Sequence, residues 1–262
     1  MVDYHTHTSL CGHAVGTVEE YVEAAIARGL TEIGFADHAP LPDGMREGIT
    51  MRVDEVERYI ALVDEARASF GGRIKVRTGL EVDFPFFDTF DVKYLSDPRI
   101  DYLIGSCHFL GDWPFDHDAH VERFAERDID DIYAEYYGIL ARLIESGAFN
   151  IIGHFDVVKK FGHHPRGDFG SCIGRLARGC AARGIAVELN TAGLRKPVGE
   201  IYPSEKIIGI LFRENVAVTL GSDSHAPGEI AHEFPRAVEI LRKIGYRKIS
   251  GFASRRRFDI PL

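Results

Sequence analysis

Two histidines near the start of the chain, His5 and His7, have the spacing of metal ligands on a strand. Side chains two residues apart on an extended strand lie on the same face, so both imidazoles point in one direction. Gly12 allows the chain to turn and to bring His13 toward them. Because imidazole nitrogens are common ligands of divalent transition metals, this stretch predicts one side of a metal site.

Further histidines and carboxylates recur along the chain and complete a set of candidate ligands. The set is His5, His7, His13, His38, Glu81, His108, His154, Asp223 and His225. One divalent ion in a catalytic site takes three or four protein ligands, so these residues are too many for one ion. They are enough for two ions with ligands to spare, and they are enough for three ions if one carboxylate is shared. Imidazole and carboxylate donors without thiolate favour zinc, manganese or iron.

The charge of such a cluster favours an anionic substrate. Three divalent ions would bring about six positive charges, against about two negative charges from Glu81 and Asp223. The excess suits a phosphate dianion together with a bound hydroxide. Arg195 is expected to bind the phosphate because its planar fork matches phosphate geometry. Lys160 and Arg166 are further candidates for phosphate contacts.

Strand-like and helix-like segments alternate along the chain and must position these residues. The predicted strands cover residues 2–7, 31–37, 74–81, 101–108, 149–154, 185–190 and 215–221. The predicted helices lie near 17–29, 52–70, 121–146, 170–183, 203–214 and 229–244. Seven βα units with apolar strands predict a distorted TIM-like (β/α)7 barrel, with a doubly wound open sheet as the alternative. The candidate ligands fall at the ends of six of these strands, where barrel enzymes carry their catalytic residues.

Length, charge and cysteine content limit the domain organisation, the partners and the cellular location that the protein can have. The 262 residues are expected to form a single domain over 1–262. The net charge of −9 argues against nucleic-acid binding, and no run of about 18 apolar residues indicates a membrane span. Asp3 and His5 already lie within the first strand pattern, which leaves no room for a signal peptide, and the four cysteines show no C-x-x-C pairing. A cytoplasmic location is therefore predicted, and no feature predicts an oligomeric state.

Seven short motifs carry the candidate ligands in a fixed order. They are His5-x-His7, Cys11-Gly12-His13, Asp37-His38-Ala39-Pro40, Gly79-Leu80-Glu81, Gly105-Ser106-x-His108, Gly153-His154-x-Asp156 and Gly221-Ser222-Asp223-x-His225. As an ordered set they resemble the motifs of the polymerase-and-histidinol-phosphatase (PHP) superfamily, from residue 3 to about residue 235. Within it, the segments 108–114, 159–163 and 190–197 are similar to those of the histidinol-phosphatases.

This resemblance implies a (β/α)7 barrel with a trinuclear metal site. Carried over by position, the first ion is expected on His5, His7, Glu81 and Asp223. The second ion is expected on Glu81, His108 and His154, and the third on His13, His38 and His225. The resemblance also implies hydrolysis of L-histidinol phosphate to L-histidinol and phosphate, in histidine biosynthesis. Because a metal can lower the pKa of its bound water to about 7, a metal-activated hydroxide is expected to be the nucleophile. Glu81, Asp223 and Arg195 are then expected to act in catalysis on this small phosphomonoester.

Three other functions fit parts of the same pattern. A metal-dependent amidohydrolase also begins with His-x-His and ends with a late aspartate, but it would use two metals and leave His13, His38 and His225 without partners. A PHP-type phosphoesterase acting on nucleotides or other phosphomonoesters is the nearer alternative, and the acidic charge with few basic loops weighs against a nucleic-acid substrate. A non-catalytic metal-binding module would release no phosphate.

Overall fold

The computed structural model describes residues 1–45 and 48–262. The strands are β1 Val2–Asp3, β2 Glu32–Phe35, β3 Lys75–Asp83, β4 Tyr102–Ser106, β5 Phe109–Leu110, β6 Trp113–Pro114, β7 Ile151–Ile152, β8 Ala186–Asn190, β9 Val218–Gly221, β10 Lys248–Ala253 and β11 Arg256–Pro261. The α-helices are α1 Val18–Ala27, α2 Val56–Phe70, α3 Ile129–Ser146, α4 Gly170–Arg183, α5 Glu205–Arg213 and α6 Phe234–Ile244.

Seven parallel strands form a barrel in the order β1-β2-β3-β4-β7-β8-β9. The first and last strands meet where the amide of Tyr4 donates to the carbonyl of Leu220 at 3.2 Å. A parallel bridge between Thr6 and Ser224 continues this seam toward the carboxyl end. The predicted distorted (β/α)7 barrel is confirmed, and the open-sheet alternative is wrong because the two edges approach each other.

The helices lie in the order that the sequence predicts, but three of them begin later than predicted. Helix α1 begins at a capping box, in which Thr17 and Glu20 each accept from the other's backbone amide. Helix α3 was predicted from residue 121, but Asp128 caps it by accepting from Asp130, and residues 118–126 form a 3-10 segment. Helix α2 starts at residue 56 after a short 3-10 turn, and α6 starts at residue 234 rather than 229.

Three long loops that follow strands, 39–51, 110–120 and 162–169, are predicted from the sequence to form the rim of the site. Residues 46 and 47, within the predicted rim loop 39–51, lie outside the described residues. The loop after β4 contains the small antiparallel pair β5–β6, which the sequence did not predict. The irregular connection after β3 contains two 3-10 segments, 84–89 and 92–95. In the described part of the chain, no helix has the length and apolar character needed to cross a membrane.

Aromatic side chains fill the barrel below the site. The hydroxyl of Tyr102 donates to the carbonyl of Tyr4 at 2.7 Å, and the two rings lie 5.1 Å apart. Gly79 makes room for this ring, because a Cβ there would lie 2.4 Å from Cε2 of Tyr102. The hairpin β10–β11, also absent from the sequence prediction, adds Phe252, whose ring lies 6.0 Å from Tyr4. The barrel floor is therefore closed by packed rings, which leaves the opposite end for chemistry.

Candidate metal centre

The structure brings all nine predicted ligands to the carboxyl end of the barrel. A cavity of about 440 Å³ opens there. Seven of the predicted ligands line it: His13, His38, Glu81, His108, His154, Asp223 and His225. The other two, His5 and His7, are fully buried beside them at the end of the first strand. Parallel strands place these side chains together because all of their carboxyl ends meet at one face of the barrel.

Glu81 lies at the centre of the cluster, with its two oxygens facing different histidines. Its Oε1 lies 2.9 Å from Nε2 of His154 and 3.5 Å from Nε2 of His108. Its Oε2 lies 3.1 Å from Nε2 of His5 and 2.9 Å from Nδ1 of His38. A carboxylate in this position can serve two ions at once.

Asp223 faces the first-strand histidines from the opposite side of the seam. Its Oδ1 lies 3.2 Å from Nε2 of His7 and 3.8 Å from Nε2 of His5. The backbone of Asp223 adopts a positive φ of 51°, an uncommon conformation for a residue other than glycine. This conformation at the strand end contributes to the placement of a carboxylate and, two residues later, of His225.

A second group of rings stands nearer the cavity mouth. The exposed ring of His13 lies 4.5 Å from that of His225 and 5.6 Å from that of His38. The ring of His225 also stacks on His7 at 4.2 Å. The turn at Gly12, with a φ of 85°, therefore brings His13 to the cluster as the sequence predicted.

Hydrogen bonds hold several of the rings so that a second nitrogen remains available. Four histidines have Nδ1 near an oxygen acceptor: His5 at 2.8 Å from Glu188, His108 at 3.0 Å from Asp83, His13 at 3.1 Å from the Cys11 carbonyl and His225 at 3.1 Å from the Asp223 carbonyl. An imidazole that donates from Nδ1 keeps the lone pair of Nε2 for a metal. In the described residues, Nε2 of His5, His7 and His225 is buried without a hydrogen-bond partner.

Unpaired buried nitrogens are costly, and a metal ion would satisfy them. Ligands at about 2 Å from one ion lie within about 4 Å of each other. The donor atoms of His5, His7 and Glu81 lie within 4.8 Å of one another, as do those of His7, His38 and His225. The donor set and its spacing therefore fit divalent ions.

The electrostatics of the site favour the ionised forms of the carboxylates of Glu81 and Asp223. Burial alone would raise the pKa of Glu81, but the facing histidines, His5 first among them, hold this pKa well below its usual value. Burial likewise opposes ionisation of Asp223, and His5 and His7 lower its pKa well below the usual range. Burial lowers the pKa of His225 to about 4, which keeps this ring neutral. Both carboxylates are therefore ionised, which is the form in which a carboxylate binds a metal.

Three outer carboxylates hold the ligands, a role that their sequence positions did not predict. Glu188 on β8 contacts His5, and Asp83 at the end of β3 contacts His108. Asp37 lies 3.7 Å from Nδ1 of His7 and accepts from the amide of Thr8. All three side chains are largely or fully buried. A charged residue within an apolar strand is a signal for such a role, since buried charges must be paired.

The predicted phosphate-binding residues do not all reach the cavity. Arg195 and Lys160 line it. The structure does not bring Arg166 there, because its exposed guanidinium pairs with Asp128 and its amide donates to Asp130 at 2.7 Å. The sequence placed Arg166 in a rim loop, but did not reveal that Asp128 would pair with it.

Comparison with known proteins shows relatives over nearly the whole chain. The model of the PHP domain family matches residues 3–192. A protein from Deinococcus radiodurans named probable histidinol-phosphatase is 39% identical over 251 residues, which cover 95% of this chain and 96% of that protein. A histidinol-phosphatase from Bacillus subtilis is 28% identical over 266 residues, covering 90% of this chain and 98% of its own length.

Solved structures share the fold. The crystal structure of histidinol phosphate phosphatase from Lactococcus lactis, complexed with zinc, L-histidinol and phosphate, superposes with a TM-score of 0.82. Its sequence is 24% identical, and the match covers 98% of each chain. A putative histidinol phosphatase from Listeria monocytogenes gives a TM-score of 0.79 at 24% identity, covering 90% of this chain and 99% of that chain.

Proposed function

Because the chain belongs to the PHP domain family, we propose that it is a metal-dependent phosphatase that hydrolyses L-histidinol phosphate to L-histidinol and phosphate, in histidine biosynthesis. The observation that carries the proposal is the position of Glu81, whose two oxygens face separate groups of histidines in one cavity. Its near-full-length relatives in Deinococcus and Bacillus are named for this activity.

We propose that the cavity binds three divalent ions, of zinc, manganese or iron. The separate histidine groups on the two oxygens of Glu81 support two of these ions. The stacked rings of His13 and His225 at the mouth support the third. The complete proposed set of ligands is His5, His7, His13, His38, Glu81, His108, His154, Asp223 and His225.

The bound ions would lower the pKa of water to near 7 and offset the charge of the phosphoryl group. Basic side chains of the protein supply the other contacts to the phosphoryl group. Arg195 lines the cavity, and its Nη1 is buried with no hydrogen-bond partner in the described part of the chain, which makes it available to a phosphoryl oxygen. Lys160 also lines the cavity, held by a hydrogen bond to the carbonyl of Asp116. Donors fixed in a largely buried site stabilise developing charge better than donors in water do.

The arrangement of the outer rings favours this function over an amidohydrolase with two metals. That alternative leaves His13, His38 and His225 without partners. In the structure, His38 contacts Glu81 at 2.9 Å, and the ring of His225 stacks on both His7 and His13. These residues form part of the same cluster, which supports a third ion.

We also propose that residues 1–262 act as one domain with a small phosphomonoester as its partner. The C-terminal hairpin supports the single domain, because Phe252 packs within the barrel and the amide of Ser254 donates to Asp101 at 2.9 Å. The net charge of −9 supports the absence of a nucleic-acid partner. The four free cysteines fit a reducing compartment and support a cytoplasmic location.

The proposal is tested by phosphate release from L-histidinol phosphate and from a generic aryl phosphate. The metal-free protein is reconstituted separately with Mn²⁺, Zn²⁺ or Fe²⁺, and kcat/KM is measured for both substrates. We expect a strong preference for histidinol phosphate with at least one metal. Equal rates on both substrates would favour a broader phosphomonoesterase, and no release from either would favour a non-catalytic module.

A further inference from the structure

We propose that Glu229 is a positioning residue, which fixes the guanidinium of Arg195 for phosphate and ties it to the loop that carries His225. This inference rests on the proposed function. Glu229 lies in the loop between β9 and α6 and lines the cavity. No motif marked it in the sequence, and it is not among the proposed metal ligands.

Glu229 contacts Arg195 through both of its oxygens. Its Oε1 lies 3.4 Å from Nε of Arg195, and its Oε2 accepts from Nη2 at 3.4 Å. This side-by-side arrangement restricts rotation of the guanidinium about the end of its long side chain. Both side chains are only partly exposed, with 18% of Arg195 and 35% of Glu229 accessible, so solvent weakens the pair less than at an open surface.

The remaining contacts of Arg195 leave one nitrogen free. Nη2 also donates to the carbonyl of Ser222 at 2.9 Å and to that of Asp223 at 3.2 Å. Nε and Nη2 are thus occupied, whereas Nη1 is buried with no partner among the described residues. A buried donor of this kind is costly unless a ligand completes it. Because Arg195 lines the cavity, the structure points to a phosphoryl oxygen as the acceptor for Nη1.

Glu229 also makes a contact on the metal side of the cavity. Its Oε2 accepts from the backbone amide of His225 at 2.9 Å. One carboxylate therefore holds both the phosphate-binding arginine and the backbone of a proposed metal ligand. We expect this link to keep Arg195 in place before substrate arrives, so that binding costs little of the conformational entropy of its side chain.

Two substitutions separate the two contacts. Glu229→Gln keeps an oxygen that can accept from His225 but removes the charge opposite Arg195. Glu229→Ala removes both contacts. We expect Glu229→Gln to weaken binding of inorganic phosphate to the metal-loaded protein by about tenfold, as for loss of a hydrogen bond to a charged group. The KM for histidinol phosphate should rise by a similar factor, with a smaller change in kcat and an unchanged metal content.

The control is Glu214→Gln, which removes the same charge from a surface pair. Glu214 lies 2.9 Å from Arg178, and neither residue lines the cavity. This variant should bind phosphate as the wild type does. Phosphate affinity is measured by isothermal titration, and metal content by elemental analysis of the same samples.

A double-mutant cycle with Arg195→Ala decides whether Glu229 acts through Arg195. In that background, Glu229→Gln should cause no further loss of phosphate affinity. If Arg195→Ala does not fold, Arg195→Lys is used, since it removes the fork but keeps a cation. A full tenfold penalty in the arginine variant would overturn the inference, as would wild-type phosphate affinity in Glu229→Gln or loss of metal from it. Absence of phosphate release by the wild type would instead contradict the proposed function, and the phosphate titration would still decide the role of Glu229.

Discussion

Glu188 holds the ring of His5 from the side opposite Glu81, with Oε1 of Glu188 lying 2.8 Å from Nδ1 of His5. The same carboxylate accepts from the amide of His154 through Oε2 at 2.9 Å. It is almost fully buried, and a Cβ at Gly221 would lie 1.8 Å from its Oε1. Glycine at position 221 is therefore what allows a carboxylate to sit beneath two of the proposed metal ligands.

Replacement of Glu188 by glutamine should weaken the metal centre without changing its volume. The amide can no longer accept as strongly from Nδ1 of His5, so the ring loses its fixed tautomer. We expect metal affinity or kcat/KM to fall by about 10- to 100-fold, as for other partners of metal-bound histidines. Glu32→Gln is the matched control, because Glu32 is a buried carboxylate at the amino end of β2, paired with Arg77 at 2.8 Å. It should lower stability and leave metal content unchanged.

Replacement of Glu81 by glutamine should have a larger effect than replacement of Glu188. Glu81 is proposed to contact two ions directly, and an amide supplies one neutral oxygen in place of two charged ones. We expect phosphate release to be abolished and metal content to fall, beyond the loss of about 100-fold expected for an outer residue. Elemental analysis and a phosphate assay on one preparation check this. An active Glu81→Gln enzyme would show that the carboxylate is not central.

His13→Ala should remove one ion and leave the others. His13 stands at the mouth of the cavity, stacked at 4.5 Å on His225, whereas the inner rings of His5 and His38 lie 3.1 Å and 2.9 Å from Glu81. We expect metal content to fall by about one ion per chain. His117→Ala removes an imidazole that also lines the cavity but lies outside the proposed ligands, so its metal content should match the wild type. Loss of all metal from His13→Ala would argue against a separate third ion.

Phe252→Ala should destabilise the barrel from its floor. The ring is 1% exposed and packs on Tyr4 at 6.0 Å and on Tyr102 at 6.2 Å. Truncation of a buried phenylalanine lowers the free energy of unfolding by about 3–5 kcal/mol. Phe212→Ala serves as the control, since that ring is 39% exposed. Urea unfolding of both variants measures the difference, and similar losses would mean that the hairpin does not close the barrel.

The candidate site could be predicted from sequence because of one regularity of parallel barrels. Residues such as His38, Glu81 and His154 are far apart in the chain, but each lies at or just beyond the carboxyl end of an apolar strand, and those ends meet. The alternation of strands and helices therefore predicted both the barrel and the cluster. The order of the motifs then indicated the family, which the match over residues 3–192 confirmed.

Contacts between loops could not be predicted in the same way. Arg166 and Arg195 both follow strands as basic residues, but only Arg195 reaches the cavity, because Asp128 pairs with Arg166. The role of Glu188 was not predicted, because the pattern of its strand indicated only that the residue is buried. A buried charge must be paired, so this carboxylate could have been expected to hold a neighbouring group. The hairpin β10–β11 was missed because it lies beyond the last βα unit and closes the floor through Phe252, a long-range packing contact.

The most direct test of the account is a metal titration of the metal-free protein, with phosphate release from L-histidinol phosphate measured at each addition. We predict no activity without metal, and activity that rises until about three ions are bound per chain. The same titration should raise the unfolding temperature, since ions that bind only the folded state stabilise it. Phosphate release by the metal-free protein, or full activity with a single ion bound, would contradict the account.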